Sequence, residues 1–127
     1  MMRTREELAE RLKGYDALDV IYDDDVGYIV WHLATGDNVE MLFIEAAEKG
    51  KGHGTELYRM MVRKIVEDRA EPYHSLYGFR RSDNREAAWF YESLGFRQVD
   101  LGESIYRRGG VTLMWVPWLE LRATLGV

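Results

Sequence analysis

Hydrophobic and polar positions in the first third of the chain predict one helix and three strands. Thr4 and Glu7 have the spacing of a capping box, which opens a helix that runs to about Lys13 and ends at Gly14. Runs rich in valine, isoleucine, tyrosine and tryptophan follow, separated by turn-forming residues. We expect these runs to be the strands of an antiparallel meander, over residues 17–22, 26–34 and 39–44.

The middle of the chain predicts a helix that crosses between two strands. Leu57, Met61 and Ile65 form an apolar stripe on a helix from about Gly54 to Asp68. A strand is predicted next, over residues 73–80. Because a helix joins this strand to the third strand of the meander, the two should be parallel neighbours in the middle of the sheet.

The last third of the chain predicts one more helix and two strands. The helix covers about residues 84–94, with Ser82 or Asp83 as its cap and Gly95 as a left-handed end. Strands over residues 96–106 and 111–118 follow, joined by a hairpin turn at residues 107–110. The pattern as a whole predicts an α+β (α/β) fold: a mixed, mostly antiparallel twisted sheet of about six strands, with a central parallel pair and about three flanking helices.

Length and composition exclude several classes of protein. At 127 residues we expect a single domain, residues 1–127. The chain has no cysteine and three scattered histidines, so we expect no metal site. The net charge of -5 argues against nucleic-acid binding. The charged N-terminus and the lack of a long apolar run predict a cytoplasmic protein that does not contact membranes.

A glycine-rich stretch lies between the third strand and the first crossing helix. Glycine recurs at alternate positions among two lysines, and a helix begins at once. The unpaired N–H groups of a helix start, together with its dipole, favour a bound anion such as phosphate. A flexible turn with no ligand is the alternative. The residues concerned are Lys49, Gly50, Lys51, Gly52, His53, Gly54 and Thr55.

Two motifs make the chain resemble the GCN5-related N-acetyltransferases, the GNAT family. The family's acyl-CoA loop reads Gln/Arg-x-x-Gly-x-Gly/Ala, which residues 49–54 match except that Lys49 holds the first position. A later family motif is an asparagine followed by a helix that ends in Phe/Leu-Tyr-x-x-x-Gly-Phe, and residues 84–96 match it. The resemblance covers about residues 17–118. It fails at the N-terminus, where the family usually has a strand and two helices.

The resemblance implies that acetyl-CoA is the acyl donor. Its pyrophosphate would bind the glycine-rich loop, where Lys51 and His53 could add charge or a hydrogen bond. Its pantetheine arm would bind the backbone of Leu42, Phe43 and Ile44. Asn84 would contact the same arm through its side-chain amide, and a helix cap is the equal alternative for this residue.

The resemblance also implies catalytic roles. Tyr91 matches the tyrosine that protonates the departing thiolate. A core tyrosine is the alternative, although Phe90 beside it could serve the core instead. Glu40 shares a strand face with Leu42 and Ile44 and could be the general base, or a carboxylate that only attracts the amine. Asp37 and His32 are weaker candidates. For the acceptor, the resemblance implies substrate contacts at Tyr106 and Arg107.

These observations predict an N-acetyltransferase for a primary amine, carried by a small molecule or a protein. Acidic residues at positions 23–25, 37 and 40 hint at a cationic acceptor. One alternative is a catalytically silent GNAT-like domain that binds acyl-CoA as a sensor or complex subunit. Another is a nucleotide-binding domain, although the loop lacks the Gly-Lys-Ser/Thr of a Walker motif and the third glycine of a dinucleotide fingerprint.

The C-terminal end of the chain predicts a homodimer. Residues 111–116 are apolar on both faces of the last strand, and residues 118–121 add apolar area with little sequence left to cover it.

Overall fold

Helices and strands are mixed along the part of the chain that the structure, a computed structural model, describes: residues 2–103 and 108–127. The bounds of its helices are α1 Arg5–Arg11, α2 His53–Glu67, α3 Arg85–Ser93 and α4 Trp118–Leu125. The bounds of its strands are β1 Asp19–Asp23, β2 Gly27–Ala34, β3 Asn38–Ala46, β4 Ser75–Arg81, β5 Arg97–Asp100 and β6 Val111–Pro117.

The strands form one six-stranded sheet in the order β1-β2-β3-β4-β6-β5. The β3/β4 pair is parallel, whereas β1/β2, β4/β6 and β5/β6 are antiparallel. The predicted mixed sheet with a central parallel pair is therefore confirmed. The described residues hold four helices where about three were expected.

The chain divides into two compact units, which are described separately. The first contains Met1–His32 and Met41–Glu71, and the second contains Leu33–Glu40 and Pro72–Val127. The expectation of a single domain over residues 1–127 stays a prediction.

In the first unit, α1 packs on the meander through one buried leucine. The capping box is present: the Thr4 hydroxyl accepts from the Glu7 N–H at 3.1 Å, and the Glu7 carboxylate accepts from the Thr4 N–H at 3.0 Å. Leu8 then packs with Tyr28 and Val30 in a buried cluster. Burial of the α2 stripe is also confirmed, at Leu57, Tyr58, Met61, Val62 and Ile65.

The second unit corrects the predicted start of α3. The helix begins at Arg85, and Asn84 is its cap: the Asn84 side chain accepts from the Ala87 N–H at 3.1 Å. Asp83, one of the two expected caps, instead pairs with Arg81 at 2.9 Å. The predicted left-handed end is confirmed at Gly95, with φ +84°.

Strand β5 is shorter than predicted. It ends at Asp100, because the Asp100 carboxylate accepts from the Gly102 N–H at 2.8 Å and Gly102 adopts φ +80°, which turns the chain. Residues 104–107, which complete the predicted strand and begin the predicted turn, lie outside the described residues, and Tyr106 and Arg107 are among them.

Helix α4 was not predicted, and it changes the argument for a homodimer. Its residues Trp118, Leu121 and Leu125 are buried, and the helix contacts β4 and β6 of its own chain. Strand β6 itself lies between β4 and β5. Trp118 and Leu121 are therefore covered within this chain, contrary to the expectation for residues 118–121, and the homodimer stays a prediction.

Candidate functional site

The glycine-rich loop of the first unit has the backbone of an anion site. Gly50 and Gly52 adopt φ values of +73° and +75°, and a Cβ on either residue would meet nothing within 4 Å. Helix α2 begins at His53, one residue before the predicted start, and no side chain caps it. Its first helical hydrogen bond runs from the Glu56 N–H to the Gly52 carbonyl at 3.1 Å. The N–H groups before Glu56 therefore have no acceptor within the helix.

Side chains beside this backbone add to its fit for phosphate. His53 is half-buried, and its Nδ1 atom is buried without a hydrogen-bond partner among the described residues. Lys49 and Lys51 are exposed at the same loop. An open left-handed backbone, an uncapped helix start, an unsatisfied imidazole nitrogen and two cations are what a pyrophosphate group needs from a protein.

The β3 residues expected to bind pantetheine use their side chains for packing. Leu42 and Phe43 pack against the cluster of Leu8, Tyr28 and Val30, and Ile44 is half-buried. The Arg11 guanidinium also lies 4.6 Å from the centre of the Phe43 ring. These contacts concern side chains, so backbone binding of pantetheine at residues 42–44 stays a prediction.

In the second unit, β3 and β4 join through two pairs of polar side chains. The Asn38 side-chain oxygen accepts from the Ser75 hydroxyl at 2.7 Å and from the Ser75 N–H at 3.2 Å. Two residues further along each strand, Glu40 and Tyr77 lie beside each other, close enough for the Glu40 carboxylate to act on the Tyr77 hydroxyl. Burial and the neighbouring Glu40 charge raise the pKa of Tyr77, which keeps the hydroxyl a neutral donor at physiological pH.

Sequence reasoning selected Glu40 but missed Tyr77. The missing information is the pairing of the two parallel strands, which brings residues 37 positions apart beside each other. A tyrosine in a β-strand run is ordinary, so no local signal marks Tyr77 as a partner of the candidate base.

Helix α3 carries the other two candidates, Asn84 and Tyr91. Asn84 caps the helix, which confirms that structural alternative. Tyr91 is 4% exposed and packs edge to face on Phe90 and Phe96, with ring centres 5.0 Å apart in both pairs. Phe90 is only half-buried, so the expectation that Phe90 would serve the core in place of Tyr91 is wrong. A catalytic role for either candidate stays a prediction.

Comparison with known families decides the assignment. A family model described as an acetyltransferase (GNAT) domain matches residues 1–115. The chain belongs to the GNAT acetyltransferase family. This confirms the resemblance carried by the two motifs and extends it to the N-terminal helix of this GNAT chain.

Solved structures of other acetyltransferases have the same fold as this GNAT chain. A chimera of the spermidine N-acetyltransferase SpeG from Vibrio cholerae and hSSAT is 20% identical, with a TM-score of 0.67 over 93% of this chain and 80% of that one. The ribosomal-protein-S18-alanine N-acetyltransferase from Escherichia coli is 16% identical, with a TM-score of 0.63 over 88% and 76%. A GNAT family acetyltransferase from Elizabethkingia anophelis with acetyl-CoA bound is 18% identical, with a TM-score of 0.61 over 90% and 83%.

At these identities the structural matches establish the fold. None of the curated proteins matches this GNAT chain significantly in sequence.

Two further observations concern metals and membranes. Within residues 2–103 and 108–127, no group of three or more histidine, aspartate or glutamate side chains is placed to hold a metal ion. No helix in the same part of the chain has the length and apolar character needed to cross a membrane.

Proposed function

We propose that this GNAT protein is an N-acetyltransferase that uses acetyl-CoA to acetylate a primary amine. The observation that carries the proposal is the loop of residues 50–55, whose left-handed glycines and uncapped helix start suit a pyrophosphate. Family membership supports the choice of coenzyme A as its source, as does the family member with acetyl-CoA bound.

The resemblance to the family implies which residues would hold the donor. The loop N–H groups, with Lys51 and His53, bind the pyrophosphate, and the backbone of residues 42–44 binds the pantetheine amides. Asn84 adds a side-chain contact to the same arm through the part of its amide that the helix cap does not use: the cap occupies the oxygen and leaves the NH₂ group to donate.

The chain's own residues would move two protons. Acetyl-CoA supplies an acetyl group on a thioester, which an amine nitrogen can attack directly. The ammonium of the acceptor first releases one proton to solvent, because only a neutral amine can attack. As the carbon–nitrogen bond forms and the carbon–sulfur bond breaks, the nitrogen loses a further proton and the sulfur gains one. Glu40 accepts this further proton from nitrogen and Tyr91 donates the proton to sulfur, and both residues then exchange protons with solvent.

The acceptor is an amine, by analogy with relatives whose names specify spermidine and the alanine of a ribosomal protein. Tyr106 and Arg107 are proposed to contact it, as the family resemblance implies. The acidic turn beside β1 does not contribute a separate site here: the Asp23 carboxylate accepts from the N–H groups of Asp25 and Val26, at 2.8 and 3.1 Å, as a turn-forming aspartate does.

The test is CoA release from acetyl-CoA with a panel of small amines and peptides, beside calorimetric binding of acetyl-CoA, ATP and NAD. The proposal expects micromolar binding of acetyl-CoA and amine-dependent release of CoA. Tight binding of acetyl-CoA without release on any amine would favour the silent binding domain. Binding of ATP or NAD instead of acetyl-CoA would favour the nucleotide-binding alternative.

A further inference from the structure

One row of side chains crosses four strands on one face of the sheet, entirely within the second unit. Tyr77 on β4 is the direct partner of Trp115 on β6, and Trp115 is the direct partner of Arg97 on β5. On the other side of Tyr77, Asn38 and Ser75 are hydrogen-bonded two residues earlier on β3 and β4, which places Glu40 beside Tyr77 and extends the row to β3. From β3 to β5, the row therefore consists of a carboxylate, a phenol, an indole and a guanidinium.

The surface around this row is apolar and open. We call it the open face, and it consists of Tyr77, Phe79, Val99, Leu113 and Trp115. Phe79, Val99 and Trp115 are 45%, 48% and 38% exposed, whereas the residues on the opposite face of β6 are buried. Phe79 also packs edge to face on Tyr77, with ring centres 6.1 Å apart. A contiguous exposed apolar surface of this kind is typical of a binding site.

Charge is distributed unevenly along the row. The Glu40 carboxylate lies at the Tyr77 end. At the other end, the Arg97 guanidinium lies 5.4 Å from the centre of the Trp115 ring, and its ion pair with Glu120 balances its charge. Arg97 and Glu40 are three strand spacings apart in the sheet, or about 14 Å. A positive group is therefore favoured beside Glu40 and gains nothing beside the Arg97–Glu120 pair.

From this row, and resting on the proposed acetyltransferase function, we propose that the acceptor is a primary amine with a single positive charge and an apolar body. The ammonium lies beside the Glu40 carboxylate and the Tyr77 ring, where a carboxylate and an aromatic ring both attract a cation. The apolar body lies across Tyr77 and Trp115. A polyamine fits poorly, because its second ammonium would lie on the apolar surface of Tyr77 and Trp115.

Two amines of equal length test this directly: hexylamine and 1,6-diaminohexane. They differ in the second ammonium alone. Binding is measured by calorimetry in the presence of CoA, and turnover by CoA release. The proposal expects hexylamine to bind at least about tenfold more tightly and to be turned over with the higher kcat/KM. Equal or tighter binding of the diamine would overturn it.

Variants identify the surface responsible. Phe79→Ala removes a half-exposed ring and should weaken hexylamine binding by about fivefold. Tyr73→Ala is the matched control, because Tyr73 is 82% exposed and is not part of the open face. Arg97→Glu should bring the affinities of the two amines to within about twofold of each other. Its control is Arg63→Glu, which removes an arginine paired with Glu56 on α2. An unchanged ratio in Arg97→Glu contradicts the proposal.

A small molecule and the N-terminus of a peptide can both present a single ammonium beside an apolar body. A peptide with an N-terminal leucine and no other positive charge therefore joins the panel, and preference for it over hexylamine would identify a protein acceptor of the proposed class. If hexylamine binds as expected without turnover, the inference stands and the enzymatic function fails. If turnover occurs with no preference between the two amines, the enzymatic function stands and the inference about the single positive charge fails.

A second copy of the chain is the competing occupant of the open face. Light scattering at micromolar concentration distinguishes it: a dimer that Phe79→Asp dissociates, together with no binding of hexylamine, would overturn the proposal.

Discussion

Tyr77 and Glu40 lie beside each other across the parallel pair of strands at the centre of the sheet, where burial and the Glu40 charge raise the pKa of Tyr77. The neighbouring pair, Asn38 and Ser75, fixes the register in which this contact forms. The phenol beside the candidate base is thus neutral, and its hydroxyl can donate to the carboxylate that is proposed to accept the proton of the amine.

Removing this hydroxyl should affect the acceptor and not the donor. In Tyr77→Phe the Glu40 carboxylate loses its orientation, so the KM for the amine should rise about threefold to tenfold while the KM for acetyl-CoA stays unchanged. Glu40→Gln should change the acceptor KM and the acidic limb of the pH–rate profile. Since both changes act through one carboxylate, the double variant should be little worse than Glu40→Gln alone. Fully additive effects in steady-state kinetics would show that the two residues act independently.

A negative charge in the glycine-rich loop should abolish acetyl-CoA binding. Gly52→Asp places a carboxylate where the pyrophosphate is expected, whereas Gly52→Asn adds a side chain of the same shape without the charge. Both residues tolerate the left-handed backbone of Gly52 better than other side chains do. Calorimetry should therefore show a further loss of at least about tenfold for the aspartate variant. Equal affinities of the two variants for acetyl-CoA would show that the pyrophosphate does not bind at this loop.

Loss of the Tyr91 hydroxyl should slow the chemical step. In Tyr91→Phe the ring keeps its packing on Phe90 and Phe96, so the melting temperature and acetyl-CoA affinity should change little. The value of kcat should fall by roughly 10²–10³-fold, the scale for a positioned acid. The KM for acetyl-CoA should be unchanged, because thiolate charge develops only in the transition state. Normal turnover by this variant would leave Tyr91 as a core residue only.

A methyl group on Gly27 should destabilise the first unit. Gly27 has φ +134°, and an added Cβ would lie 2.1 Å from the Glu45 carbonyl oxygen, with backbone atoms of Ala46 and Ala47 also in contact. We expect Gly27→Ala to lower the free energy of unfolding by about 3 kcal/mol. Gly14→Ala is the matched control: its φ is +86° and a Cβ there meets nothing within 4 Å, so about 1 kcal/mol is expected. Urea denaturation of both variants measures the difference.

Alkaline pH should destabilise the fold through three tyrosines. Burial raises the pKa values of Tyr22, Tyr28 and Tyr77. Their neutral forms are thus favoured in the folded state, while the unfolded chain releases the same protons near about pH 10. Stability should therefore be unaffected by these groups below about pH 10 and fall as the pH rises through their folded-state pKa values. Melting temperatures measured between about pH 8 and 11 test this, and Tyr77→Phe should flatten the decline.

Local sequence determined most of the helices and turns and pointed to the family. A capping box needs only Thr4 and Glu7 three residues apart, and the stripe of Leu57, Met61 and Ile65 needs only the helical period. The loop at residues 49–54 and the motif at residues 84–96 are also local, so both could be read without a structure. The same reasoning failed where the local signal was short: α4 covers eight residues, and β5 ends at a turn set by Asp100 and Gly102.

Tertiary structure decided which side chains meet. Whether Tyr91 or Phe90 enters the core depends on the angle at which α3 packs, and the contact between Glu40 and Tyr77 depends on the register of two strands. The row from Glu40 to Arg97 combines residues from four strands that lie up to 75 positions apart in sequence. Neighbours across a sheet are fixed by the pairing of whole strands, since each strand alone specifies only which side chains share a face. The sequence by itself thus predicted the strands and the candidate Glu40, and only the folded sheet placed Tyr77, Trp115 and Arg97 in one row with it.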